Sequence, residues 1–120
     1  LQLLALFQRE GRLVDFLEQD IASFDDAEIG GVARVVHEGC RKALHEHAKL
    51  ATVRREEEGA SVTIDAGYRA AEIKLIGNVQ GSAPYRGALR HRGWRAESFA
   101  LPTPVADHDA RVIAPAEVEL

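Results

Sequence analysis

The hydrophobic spacing of the chain changes near residue 50, and this change constrains the fold more than any other feature. Up to about residue 48, apolar residues recur every three to four positions, which is typical of amphipathic helices. From about residue 51 to 114, apolar and polar residues alternate in short runs separated by glycine and proline, which is typical of strands. We therefore predict an α+β fold in which N-terminal helices (about 1–48) pack on a C-terminal antiparallel sheet or small open barrel of five to six short strands.

The size of the chain suits one domain with one core, since it has 120 residues of which 46% are hydrophobic. We therefore expect residues 1–120 to form a single domain. The chain opens at Leu1 and contains no methionine, so we also expect a native N-terminal portion upstream. The single cysteine, Cys40, favours the reducing cytoplasm. No apolar run is long enough to span a membrane, and association with one through the upstream segment stays open.

Residues 1–22 are predicted to be helical, with a helix–turn–helix through Arg9-Glu10-Gly11-Arg12 preferred over one continuous helix with a weak point. Their predicted apolar stripe comprises Leu1, Leu4, Ala5, Leu13, Phe16, Leu17 and Ile21.

The next helix has the clearest local signal in the chain. Asp25 can cap it, Glu28 can complete a capping box, and Phe24 can pack on Ile29. We predict that it begins at Asp25 or Asp26 and persists to about His47. Its predicted buried face consists of Ile29, Val32, Val36, Cys40, Ala43 and Leu44.

Two hairpins are predicted in the second half of the chain. The first joins residues 52–55 and 60–64 through the turn Glu57-Glu58-Gly59, and the second joins residues 85–90 and 94–101 through His91-Arg92-Gly93. Gly93 should adopt a positive φ, Arg92 should be exposed at the tip, and Trp94 should be largely buried.

Two more strands are predicted, at residues 72–76 and 111–113. Gly77, Gly81 and Pro84 after the first indicate a bulge or tight turns, and the second follows the loop Pro102-Thr103-Pro104. Pro115 should end the last strand because it cannot donate a hydrogen bond to a ladder.

The second predicted hairpin is also the candidate partner surface. The net charge of the chain is −4, yet residues 84–95 contain four arginines and no acidic residue. Guanidinium groups beside an aromatic ring can contact acidic side chains or phosphates. The candidate surface consists of Tyr85, Arg86, Arg90, Arg92 and Arg95.

Residues that could carry catalysis or bind a metal are weakly indicated. His37, Cys40, His45 and His47 lie close in sequence, but their helical spacing does not place three ligands on one face. A Cys40 nucleophile activated by His37 is a further alternative, set against a thiol that packs as a small hydrophobe. No catalytic, nucleotide-binding or cofactor motif occurs, so the sequence predicts no catalytic, cofactor or metal residues and favours a non-enzymatic protein.

Several segments in order resemble one bacterial family: LLALFQREGRLVDFLEQDI, ARVVHEGCRKAL, IKLIGNVQG, PYRGALRHRGW and VIAPAEVEL. Together they cover essentially the whole chain, which resembles the domain-of-unknown-function family 2760. The resemblance implies no activity, catalytic residue or cofactor. It implies an apolar segment upstream and genes that stand beside those of DnaK-type chaperones.

The leading functional hypothesis is a non-enzymatic protein-interaction or accessory module, with a DnaK-type chaperone as the partner that the resemblance implies. The alternative is a nucleic-acid-binding domain that uses the basic hairpin at residues 85–95, which the net negative charge disfavours. Residues and composition leave the oligomeric state open.

Overall fold

The computed structural model describes residues 1–102 and 109–120, which form two compact units. One unit comprises Leu1–Lys49 and Ser98–Leu120, and the other comprises Leu50–Glu97. Helices form up to residue 47 and strands follow, so the predicted α+β class is confirmed. The single-domain organisation of residues 1–120 stays a prediction.

The first unit begins with two short helices, α1 (Gln2–Gly11) and α2 (Leu13–Glu18). The predicted helix–turn–helix is confirmed, and the residue that separates the helices is Arg12, which has a left-handed φ of 54°. Gln8 of α1 stabilises the start of α2, because its Oε1 accepts the Val14 N–H at 2.9 Å and its Nε2 donates to the Asp15 carboxylate at 2.8 Å. A side chain from the preceding helix therefore caps α2.

Helix α3 spans Asp26–His47 and begins with the predicted capping box. The Glu28 N–H donates to Asp25 Oδ1 at 2.7 Å, and the Asp25 N–H donates to Glu28 Oε1 at 3.4 Å. Both predicted boundaries of α3 are confirmed.

The predicted inner face of α3 is confirmed, with Ala43 buried and its other five members half-buried. The predicted stripe of the first two helices is wrong at four positions: Leu1, Leu4, Leu17 and Ile21 are exposed. In α1 the buried apolar residue is Leu6, which the predicted stripe did not include.

Helices α1 and α3 meet at two glycines. A Cβ atom on Gly39 would lie 1.9 Å from the Glu10 carbonyl oxygen, and one on Gly11 would lie 2.6 Å from Cys40 Sγ. Gly11 therefore allows the close contact of the two helices, in addition to ending α1.

Four strands occur among the described residues: β1 (Ala48–Thr52), β2 (Ser61–Ile64), β3 (Tyr85–Ala88) and β4 (Trp94–Phe99). They form two two-stranded sheets, so the prediction of one sheet or barrel with five to six strands is wrong. Residues 72–76 and 111–113 are not strands. The loop residues Thr103 and Pro104 lie outside the described residues.

The strands pair in an unpredicted order, since β1 pairs with β4 and β2 pairs with β3. Neither predicted hairpin therefore forms. The β2–β3 pair is antiparallel, with Ile64 opposite Tyr85 and Ser61 opposite Ala88. Backbone hydrogen bonds continue this pairing, with the Leu89 N–H donating to the Ala60 carbonyl at 2.9 Å.

The predicted turn at Glu57-Glu58-Gly59 forms, but it lies between β1 and β2, which do not pair with each other. The Ala60 N–H donates to the Glu57 carbonyl at 3.0 Å, and Gly59 has a positive φ of 89°. The Gly59 N–H donates to the Leu89 carbonyl at 2.7 Å, so the end of the turn is hydrogen-bonded to the residue that follows β3. A hairpin reversal and a local turn between two strands that do not pair share the same glycine signal in sequence.

Candidate functional site

The five residues of the predicted surface lie on β3, on β4 and on the segment between them. Tyr85 and Arg86 are in β3, Arg95 is in β4, and the other two arginines are in the connecting segment. Their side chains have different partners, which decide what each of them can bind.

Arg92 is half-buried and bonded to the turn at residues 56–58, so the prediction of an exposed tip is wrong. Its Nε donates to the Glu56 carbonyl at 2.9 Å, and its Nη2 lies 2.5 Å from the Glu57 carboxylate. The physical reason is the altered strand pairing, which brings this turn beside residue 92 through the hydrogen bond between the Arg54 N–H and the Arg92 carbonyl.

Arg95 is paired with Glu72, whose Oε1 lies 2.6 Å from Arg95 Nη2. The same carboxylate oxygen lies 3.4 Å from Arg69 Nη1. The charge of Arg95 is therefore largely compensated within the strand unit.

Arg86 and Arg90 are exposed and form no ion pair within residues 1–102 and 109–120. Arg86 lies opposite Thr63 in the β2–β3 pair. Two of the four predicted arginines are thus free to contact an anion.

Tyr85 is half-buried and contacts other residues of the strand unit. Its ring packs edge to face on Tyr68, with centroids 6.4 Å apart, and its hydroxyl donates to the Gly81 carbonyl at 3.2 Å. This ring therefore has two internal contacts to lose before it can stack on a ligand.

Trp94 is 75% exposed, so the prediction that it is buried is wrong. All six residues of β4 are exposed, although three of the five residues of its partner strand β1 are half-buried. A sequence signal for this exposure exists: Trp94, Ala96 and Ser98 share one face of the strand, and that face has no second large apolar residue. Gly93 has the predicted positive φ, at 74°.

An open groove with a volume of about 600 Å³ lies beside Trp94. Two carboxylates, one guanidinium and one imidazole reach it, and the full lining is Thr52, Glu57, Glu58, His91, Arg92, Gly93 and Trp94. His91 Nδ1 lies 3.8 Å from Glu58 Oε1, which is too long for a hydrogen bond. Glutamates 57 and 58 were not predicted as site residues, because their place in the groove depends on the strand pairing.

Glu56, beside this groove, is held in its charged form. A hydrogen bond from Arg54 lowers the pKa of the Glu56 carboxyl below its ordinary value. Glu56 therefore stays ionised and paired with Arg54 to a lower pH than an ordinary glutamate would.

Cys40 lies at the contact of α1 and α3, where its Sγ donates to the Phe7 carbonyl at 3.7 Å. Burial raises the pKa of the Cys40 thiol, which lowers the thiolate fraction at neutral pH. This environment disfavours a nucleophilic role.

Residues 1–102 and 109–120 contain neither a candidate metal cluster nor a helix that could span a membrane. No group of three or more histidine, cysteine, aspartate or glutamate side chains there could hold a metal ion. None of the helices in this part of the chain has the length and apolarity to cross a membrane.

The described residues define an α+β protein with an exposed aromatic surface on its strand unit and a shielded thiol in its helical unit. The chain belongs to the family described as Domain of unknown function (DUF2760), whose model matches residues 1–119. The resemblance inferred from the sequence segments is thereby confirmed. No curated protein and no solved structure matches the chain.

Proposed function

We propose that this protein is a non-enzymatic interaction module whose docking surface is centred on Trp94. The observation that carries the proposal is the exposure of this side chain, 75%, on a strand whose residues are all exposed. Tryptophan is enriched among the residues that dominate binding energy at protein interfaces.

The area that Trp94 leaves in water favours association. A tryptophan side chain buries roughly 150–250 Å² when it is fully enclosed. Burying the three-quarters of Trp94 that is exposed would contribute about 3–5 kcal/mol at about 25 cal/mol/Å². A partner that covers this ring therefore gains a substantial part of a typical binding free energy.

A nucleic-acid partner is the second candidate, because an exposed tryptophan near arginines can stack on a base. The ion pairs of Arg92 with Glu57 and of Arg95 with Glu72 disfavour it, since they compensate half of the basic charge. The net charge of −4 also opposes binding to phosphates. A protein partner is therefore favoured.

A DnaK-type chaperone is the partner implied by the family resemblance, and we include it in the proposal as the first protein to be tested. The cytoplasmic localisation expected from the single cysteine belongs to the same proposal.

The test is a quantitative affinity capture from the source cell, followed by binding of each captured protein in purified form. Trp94→Ala is compared with Val35→Ala, which also removes an exposed apolar side chain, in this case from α3 and 57% exposed. We expect Trp94→Ala to reduce partner recovery about tenfold or more and Val35→Ala to leave it unchanged. Equal recovery with both variants, each folded by circular dichroism, would show that Trp94 is not the docking centre.

A salt titration with mixed single-stranded DNA and RNA distinguishes the nucleic-acid partner from the protein partner. Phosphate binding weakens steeply with salt because counterions are released. Binding that depends on Trp94 and falls in this way would replace the protein partner with a nucleic acid, and absence of binding at low salt would remove that candidate.

A further inference from the structure

We propose that the groove beside Trp94 receives a cationic side chain, arginine or lysine, from the partner protein. This inference rests on the proposed function and adds the chemistry of what docks there. It follows from the aromatic ring, the carboxylates beside it and the way in which the groove's own arginine is already bonded.

The exposed ring of Trp94 gives the groove a surface that attracts cations. Trp94 lies mostly in solvent and lines the groove, and an indole ring is the best side-chain surface for a cation. An arginine guanidinium can also stack flat on such a ring.

The carboxylates provide the second part, since both have unused acceptors. The Glu57 side chain is 88% exposed, and Arg92 contacts its Oε2 and leaves Oε1 open within the described structure. The Glu58 side chain is 64% exposed, and the His91 imidazole beside it lies 3.8 Å away, beyond hydrogen-bond distance. An entering cation would therefore find carboxylate oxygens ready to accept from it.

The bonding of Arg92 provides the third part, because it disfavours an anionic occupant. Its Nε and Nη2 already donate to the Glu56 carbonyl and the Glu57 carboxylate. An anion entering the groove would meet the Glu57–Arg92 ion pair, whose charges compensate each other, and the Glu58 carboxylate. The charge of the groove thus complements a cation.

A single tryptophan makes this site directly observable, because the intrinsic fluorescence of tryptophan in this chain comes from Trp94 alone. The probe is an end-blocked peptide of alternating arginine and glycine, titrated into the full-length protein. Its control contains citrulline in place of arginine, which keeps the shape and removes the charge. We expect the arginine peptide to change the fluorescence in a saturable way and to bind about fivefold or more tighter than the citrulline peptide.

A pair of double variants tests the carboxylates. Glu57→Gln with Glu58→Gln should weaken binding of the arginine peptide about fivefold. Glu38→Gln with Glu117→Gln changes the net charge equally at exposed positions outside the groove and should leave the affinity within about twofold. Equal affinity of the two peptides, absence of any saturable binding, or equal effects of the two double variants would each overturn the cationic assignment.

The capture experiment separates the failure of this inference from the failure of the proposed function. If Trp94→Ala loses the partner while Glu57→Gln with Glu58→Gln retains it, the docking surface stands and the cationic assignment is wrong. If the purified protein forms a dimer, and both Trp94→Ala and the double variant Glu57→Gln with Glu58→Gln dissociate that dimer, the occupant of the groove is a second copy of this chain. That result would overturn the assignment to a partner protein.

Discussion

The helical unit and the strand unit are stabilised by different kinds of contact. In the helical unit, α1 and α3 approach so closely that Gly11 and Gly39 leave no space for a Cβ atom. In the strand unit, backbone hydrogen bonds and ion pairs such as Arg95–Glu72 hold segments together, and residues 94–97 of β4 are exposed. The first unit therefore depends on side-chain volume, whereas the second leaves these side chains of β4 exposed to solvent.

Gly39→Ala should have the largest effect, because it tests the volume constraint of the helical unit. Its Cβ would lie 1.9 Å from the Glu10 carbonyl oxygen, so the helices must separate. We expect the free energy of unfolding in urea to fall by about 3 kcal/mol. Gly31→Ala in the same helix is the control, since its Cβ would meet no described atom within 4 Å apart from its chain neighbours and the adjacent backbone of α3, and it should stabilise by up to about 1 kcal/mol. Similar effects of the two substitutions would contradict the close contact.

Gly93→Ala tests the backbone of the strand unit. Gly93 has a positive φ of 74°, and its Cβ would lie 3.1 Å from Val53 Cγ2. We expect a loss of about 2 kcal/mol in the free energy of unfolding. Gly77→Ala shares the positive φ, at 87°, but its Cβ would meet no described atom within 4 Å beyond its two chain neighbours, so it should cost about 1 kcal/mol. A larger loss at Gly77 than at Gly93 would show that the contact with Val53 is absent.

Asp25→Ala tests the local signal that starts α3. Removal of the side-chain acceptor of the Glu28 N–H should cost about 1 kcal/mol in urea unfolding. Asp25→Asn keeps an acceptor and should restore most of this stability. If asparagine is no better than alanine, the hydrogen bond to Glu28 does not stabilise the helix.

The smallest effect concerns Asp15 at the junction of α1 and α2. Hydrogen bonds from Gln8 and Arg12 lower the pKa of the Asp15 carboxyl below its ordinary value. The ionised carboxylate therefore stabilises the fold above the unfolded-state pKa of about 3.9, and this contribution is lost as the pH falls through the lower folded-state pKa. Lowering the pH through these two pKa values should thus reduce the stability of the wild type slightly more than that of Asp15→Asn. Thermal unfolding at a series of pH values measures this difference. Parallel pH profiles would contradict the shift.

The elements that sequence predicted well depend on neighbouring residues. The capping box of Asp25 and Glu28 and the inner face of α3 lie within one helix, so their signals are local. The positive φ of Gly93 is local as well, and this prediction is confirmed although the hairpin predicted around Gly93 does not form.

The elements that sequence predicted poorly depend on distant partners. The segments at residues 60–64 and 85–88 each have a strand pattern, but alternation does not say which strand pairs with which. The exposure of Trp94 and the bonding of Arg92 to Glu57 follow from that pairing. The candidate arginines could therefore be named from the sequence, whereas the carboxylates beside Trp94 could not.

The exposure of Trp94 is the central claim, and the fluorescence of the purified protein tests it most directly. We predict an emission maximum in native buffer close to that of the urea-unfolded chain, with similar quenching by acrylamide, because the ring is 75% exposed in the fold. A native emission shifted to the blue and protected from acrylamide, with both features lost on unfolding, would show that Trp94 is buried and would remove the proposed docking surface.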